Sequence, residues 1–146
     1  MRDPARHESE TVERFLDSTL DSVDHAEELA VGVAQRAGFG EEDLLKIGMA
    51  VRESVVNAVV HGNRYNANKK VRFSVAKNSE RFTIRIADEG EGFDYEEVPN
   101  PLEEENLLRG SGRGIFLIRS FMDELQINRL EPGGTEFVMV KYMVSK

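Results

Sequence analysis

Cysteine and tryptophan are both missing from the 146-residue chain. Without cysteine there is no disulfide, no thiolate nucleophile and no thiolate-held metal. Histidine is scarce, and His7, His25 and His61 stand well apart, which speaks against a dedicated zinc site. No apolar run approaches the roughly 18 residues of a membrane span. The acidic start also lacks the basic-then-apolar order of a secretory leader. Positive charge is in the minority: 27 acidic against 19 basic residues leave a formal charge of −8. That balance argues against a protein whose main work is to grip the nucleic-acid backbone. With 40% apolar residues, the chain is long enough to bury a core without staples. The expectation is one soluble, cytoplasmic domain over residues 1–146.

No internal repeat or low-complexity segment interrupts the sequence, and residues 1–8 are polar and expected to fray. Residues 9–18 read as a first strand with poor alternation. A helix is expected over Ser22–Ala37, capped by Asp21 or Ser22 and stopped at Gly38. A second begins near Glu41, where Glu41, Glu42 and Asp43 complement the N-terminal dipole, and runs to about Val60. Val71–Val75 and Phe82–Ile86 alternate on either side of Lys77–Arg81, the pattern of a hairpin. Residues 88–112 are glycine- and proline-punctuated and acidic, a long loop of the kind that usually carries function or disorder. Ile115–Leu125 is helical in pattern, and strands over residues 125–130 and 136–144 flank the turn Glu131–Gly134. This order predicts a two-layer α/β sandwich, a mixed, mostly antiparallel sheet with helices on one face.

On the second helix, Lys46, Glu53, Asn57, His61 and Arg64 fall near one line among apolar residues, with Arg52 the exception. Glu53 and Asn57 are one turn apart, so a carboxylate and an amide carbonyl face the same small volume. Mg²⁺ takes oxygen ligands of that kind and keeps several waters. A neighbouring carboxylate can accept a proton from an attacking hydroxyl. The plainer reading, ordinary exposed helix polars, stays open at this point. His61 reads as a helix-end residue that bonds a nearby loop, and Gly62 as a C-cap needing positive φ.

Two glycine loops follow. Asp88-Glu-Gly90-Glu-Gly92-Phe93 is a strand end running into a turn. Its glycines permit close backbone approach to a ligand, and its carboxylate can accept from an exocyclic amine such as that of adenine. It also reads as a surface turn in which Asp88 satisfies its own backbone. Gly110-Ser-Gly112-Arg113-Gly114-Ile115 leads into a helix. Free amides at a helix N-terminus favour phosphate, and Arg113 and Arg109 can add charge-assisted bonds. A plain hinge before a helix is the alternative. The run is neither a P-loop nor a Rossmann fingerprint. Gly133-Gly134-Thr135 suits a tight hairpin whatever the function.

In order, an acid-xxx-Asn helix, an Asp-x-Gly-x-Gly strand end, a long loop, a Gly-x-Gly-x-Gly-Ile helix start and a Gly-Gly-Thr hairpin resemble the GHKL ATPases, which share the Bergerat ATP-binding fold. Arg52–Asn63, Asp88–Phe93, Val98–Pro101 and Glu105–Glu124 are similar to the anti-sigma factor, serine-protein kinase branch. The likeness spans about residues 20–142. It implies Glu53 as the general base and Asn57 as the Mg²⁺ ligand. It also implies Asp88 on the adenine amino group, with Gly90 and Gly92 shaping the pocket floor. Gly112, Arg113 and Gly114, with Ile115 beside them, would receive the phosphates of ATP, and Thr135 would complete the adenine side. Residues 94–111 would be the ATP lid.

Such kinases phosphorylate a serine on a small anti-anti-sigma protein of the STAS type, sequester a sigma factor, and are homodimers. Phosphorylation adds about −1.5 to −2 charge to the antagonist and releases it, and an acidic kinase repels the phosphoprotein further. An alternative is a non-catalytic nucleotide-binding module that only sequesters its partner. Such a module has no need of both a base at Glu53 and a metal ligand at Asn57. The catalytic domain of a sensor histidine kinase would carry asparagine where Glu53 stands and a preceding phospho-accepting helical dimer. The resemblance thus implies a protein concerned with transcription that acts through another protein, in keeping with its acidity.

Overall fold

A computed structural model describes residues 9–90 and 110–143, with residues 110–113 described by their backbone alone. Gly92, Arg109, residues 1–8 and nearly all of the expected lid lie outside the described residues.

Alternation builds the sheet. In β2 (Lys70–Lys77) Val71, Phe73 and Val75 are buried, and in β3 (Arg81–Ala87) Phe82, Ile84 and Ile86 are. The two strands pair with Phe73 opposite Ile86 and Val75 opposite Ile84. β5 (Thr135–Tyr142) lies along the other side of β3, and β4 (Glu124–Arg129) forms one edge. β1 (Glu10–Asp17) forms the other edge, giving the order β1-β2-β3-β5-β4. Every pairing is antiparallel, so the sheet is simpler than the mixed one expected. Two helices in succession after β1 return the chain to the end it left, and β2 therefore runs against β1. A single crossover helix would have made them parallel.

Helices α1 (Asp21–Ala37), α2 (Glu41–Val56) and α3 (Gly110–Phe121) cover one face. α1 buries Val23, Ala26, Ala30, Val33, Ala34 and Ala37 at helical spacing and ends at Gly38, where φ is 98°. Its start differs from the expectation. Leu20 occupies the N-cap without a side-chain cap bond, while the Ser22 hydroxyl donates to the Asp17 carbonyl at 2.7 Å. Ser22 is thereby spent on tying the helix to the end of β1. α2 buries Ile47, Ala50, Val51 and Val55, but Leu45 and Met49 face outward, so the helix is less enclosed than its composition suggests.

The second expected helix is not α-helical throughout. From Asn57 to Gly62 the bonding widens to a π-helical segment, in which the Asn63 amide reaches Ala58 O at 2.8 Å. Such wide turns insert a surplus residue and are frequent at functional sites. Arg64 lies beyond it at φ 51°, off the line drawn from Lys46, and Lys46 pairs with Glu42 at 3.4 Å. α3 begins at Gly110, earlier than the Ile115 expected from pattern, because glycines that weaken a helix interior are tolerated in its first turn. It ends at Phe121, where the Asp123 amide turns to Val140 O at 2.9 Å and the chain enters β4. Leu125 is therefore a strand residue only.

Candidate nucleotide site

α2 and its π-helical continuation carry the catalytic candidates. Glu53 is half-buried near the end of α2, and Asn57, only 4% exposed, opens the wide segment one turn later. The Asn57 Nδ2 atom is buried without a hydrogen-bond partner among the described residues. A buried amide left unpaired costs about 1–3 kcal/mol, which is tolerable where a ligand completes it. The first turn of α3 closes on this pair. A Cβ at Gly114 would stand 2.8 Å from Glu53 Oε2 and 3.7 Å from Asn57 Nδ2. A side chain at 114 would make the Glu53 carboxylate give way. Gly112 and Arg113 belong to that same turn, and Ile115 is buried directly after it. His61 is exposed in the π-helical segment.

Asp88 follows β3 and is 5% exposed. Its Oδ1 accepts the amides of Gly90 at 2.9 Å and Thr135 at 3.2 Å. Its own amide donates to Thr135 O at 3.0 Å. Burial pushes the Asp88 carboxyl above the usual carboxylate range, with the two amides and Lys69 pulling it part of the way back. Thr135 is thus placed beside Asp88, and its backbone is the part that engages the carboxylate.

Gly62 serves a different purpose from the one expected. It has no positive φ, since among the described glycines only Gly38 and Gly134 do. A Cβ on Gly62 would stand 2.3 Å from Asp88 Cγ and Oδ2, and one on Gly90 would stand 2.1 Å from Gly62 O. Two glycine backbones therefore press the end of the wide helical segment against the turn after β3. Gly134, at φ 111°, would bring a Cβ to 2.1 Å from Asp88 O. The Gly-Gly-Thr hairpin is accordingly part of the same cradle. The single sequence carries no signal for these contacts, nor for Asn63. That residue is 2% exposed, and its Oδ1 accepts the Glu89 amide at 2.7 Å.

A cavity of about 460 Å³ lies on the other side of Asp88, with Phe15, Lys70, Arg72, Ala87 and Leu130 among its walls. By register, Phe15, Arg72 and Ala87 share the sheet face turned away from the helices. Glu53, Asn57 and Gly114 do not line it.

The shift at Asp88 has a consequence for stability. With its native pKa raised, the folded state holds this proton more tightly than the unfolded chain. The group's contribution then declines as pH rises through that window. Thermal melts of the chain and of Asp88→Asn between about pH 4 and pH 7 should show the variant gaining relative stability with rising pH. A difference independent of pH would contradict the assignment.

The histidine kinase-like ATPase domain family matches residues 16–141, nearly the whole chain. The chain belongs to that family. Among curated relatives, the serine-protein kinase RsbW of Oceanobacillus iheyensis is 34% identical over 121 residues, covering 79% of this chain and 75% of the relative. The protein of the same name from Staphylococcus epidermidis is 36% identical over 119 residues, and that from Staphylococcus aureus is 37% identical over 121. Each of these two matches covers 77% of this chain and 74% of the relative. The GHKL resemblance seen in the ordered motifs therefore stands, with the α/β sandwich that it implies. In this chain Glu53, Asn57 and Gly114 come together in one cluster, and Asp88, Gly90 and Thr135 in another.

ATP binding follows from the family, and the site is compatible with a hydrated Mg²⁺. Asn57 can turn its carboxamide to present oxygen, and Mg²⁺ needs few protein ligands beside phosphate oxygens and waters. The described residues contain no group of three or more His, Cys, Asp or Glu side chains that could hold a metal ion. No helix among the described residues is long and apolar enough to cross a membrane.

Proposed function

We propose that this chain is an ATP-dependent serine-protein kinase that acts as an anti-sigma factor in the cytoplasm. It works as one kinase domain, with residues 94–111 as the ATP lid. Its protein substrate is a small anti-anti-sigma antagonist of the STAS type, and as a homodimer it sequesters a sigma factor. The observation that carries the reading is the half-buried Glu53 carboxylate beside an unpaired Asn57 amide at a glycine-lined helix start. The supporting context is a chain whose relatives are named serine-protein kinases.

Bound Mg·ATP supplies the transferable phosphoryl group. Glu53 accepts the proton of the serine hydroxyl as its oxygen bonds to phosphorus and ADP departs. Asn57 is the protein's ligand to the metal. Gly112 and Arg113, whose amides are among the first four of α3 and so lack intrahelical partners, receive the phosphates with Gly114 and Ile115 beside them, where free amides and the dipole favour negative charge. Asp88 takes the adenine amino group, Gly90 and Gly92 keep that end of the pocket open, and Thr135 completes it. The product phosphoserine brings about −1.5 to −2 charge onto the antagonist, so it leaves an acidic kinase, and the kinase is free to hold the sigma factor.

The test is a pull-down with the purified chain from its own cell extract, with and without Mg·ATP, followed by phosphosite mapping of what is retained. The expected result is a sigma factor together with a small protein that acquires phosphoserine only when ATP is supplied. Retention of a sigma factor with no phosphate transferred to any protein would overturn the kinase reading and leave sequestration alone.

A further inference from the structure

We infer that Asn63 is the positioning residue for Asp88, fixing the peptide that follows the adenine-reading carboxylate and thereby setting the purine preference of the site. The inference rests on the role proposed for Asp88 above. It comes from a network to which the motifs assign no role: the Asn63 Oδ1 accepts the Glu89 amide at 2.7 Å. Its Nδ2 donates to Ser18 Oγ at 2.9 Å and to Lys70 O at 3.1 Å. The Ser18 hydroxyl in turn donates to Lys69 O at 2.5 Å, so towards Asn63 it acts only as an acceptor.

Each partner therefore dictates which end of the carboxamide faces it. An amide nitrogen must face Lys70 O and Ser18 Oγ, and an amide oxygen must face the Glu89 N–H. Among uncharged side chains, only a carboxamide offers two N–H donors and an acceptor in that arrangement. The main chain of Asn63 is fixed as well, because its amide closes the wide helical segment on Ala58 O at 2.8 Å.

Asp88 has its own amide on Thr135 O and its Oδ1 on two amides, while Gly62 abuts the Oδ2 side. The peptide between Asp88 and Glu89 has its carbonyl against Gly134 and its N–H directed at Asn63. Asn63 holds that peptide by its N–H. With alanine at 63, the Glu89 N–H and Lys70 O both lose a partner in a place where Asn63 itself is 2% exposed. The turn then shifts to find water, and the carboxylate shifts with it.

The experiment compares Mg·ATP with Mg·ITP by calorimetry on the full chain, because inosine presents a carbonyl oxygen where adenine has its amine. The wild-type chain should prefer ATP, and Asp88→Asn should collapse that preference. Asn63→Ala should weaken ATP binding by about tenfold while ITP changes by less than about twofold, and it should add little in the Asp88→Asn background. Ser18→Ala, which removes one acceptor for Nδ2 together with the hydroxyl donor to Lys69 O, should move the ATP:ITP ratio the same way by about threefold, and it serves if Asn63→Ala does not fold. Equal loss for both nucleotides, or an unchanged ratio in the Asn63 and Ser18 variants while Asp88→Asn collapses it, overturns the role of Asn63 alone. A ratio that Asp88→Asn leaves at the wild-type value overturns the adenine assignment, and the inference falls with it.

Discussion

Replacing Glu53 by glutamine should reduce phosphoryl transfer by about 10²–10⁴-fold, the usual contribution of a positioned general base. At 1.36 kcal/mol per tenfold, that is about 3–5 kcal/mol of transition-state stabilisation. Glutamine keeps the shape and can still accept from a water, but it cannot take a proton from serine. Mg·ATP binding should survive, because Glu53 meets the first turn of α3 by contact with Gly114, which glutamine preserves. Turnover is read from phosphate incorporated into the antagonist, and affinity by calorimetry. Loss of nucleotide affinity as large as the loss of turnover would sink the assignment.

Gly134→Ala should be costly in two separate ways. A residue with a side chain at φ 111° is strained by about 1–3 kcal/mol. The new Cβ would also start 2.1 Å from Asp88 O, so the β4–β5 turn or the Asp88 backbone must move, at a further 1–3 kcal/mol or about that. At this chain length each kcal/mol lowers Tm by about 2–4 °C, so the summed cost of about 2–6 kcal/mol gives an expected fall of roughly 4–24 °C. ATP affinity should drop with it, since the displaced group is the backbone of Asp88. Gly133→Ala is the milder comparison: its Cβ would stand 2.9 Å from Gly90 O, so the backbone must still give, but its φ is not positive and a smaller fall is expected. A melt for Gly134→Ala that matches wild type would refute the account of the cradle.

Much of this architecture was legible from residue order. Val71, Phe73 and Val75 against Phe82, Ile84 and Ile86 announced the central hairpin, and the five strands and three helices follow the expected succession. β1 was poorly patterned for a physical reason. As an edge strand it buries only Leu16 and leaves Phe15 73% exposed, so alternation had little to record. The start of α3 was hidden because glycine reads as a loop by propensity, whereas here Gly114 packs beside the Glu53 carboxylate.

At the site, Glu53 with Asn57 and Asp88 with Gly90 were legible because each pair is local in sequence. Gly62, Asn63 and Gly134 were not, because their importance lies in what stands opposite them. Asp88 is 26 residues beyond Gly62, and a cap explanation for that glycine was equally consistent with the letters. The backbone bonding that brings them together has no side-chain signature.

The wide turn from Asn57 to Gly62 makes the length of this stretch a matter of counting. A π-type turn is an α-helix carrying one residue too many. Deleting any one residue between 57 and 62 would let ordinary helical bonding resume and swing everything downstream by about 100° around the axis. Gly62 would then face away from Asp88, with every motif still spelled as before. A chain with all its signature letters and one residue fewer here would have the parts of a nucleotide site without their alignment. The spacing between Asn57 and Gly62 is therefore as much a part of the motif as the residues are.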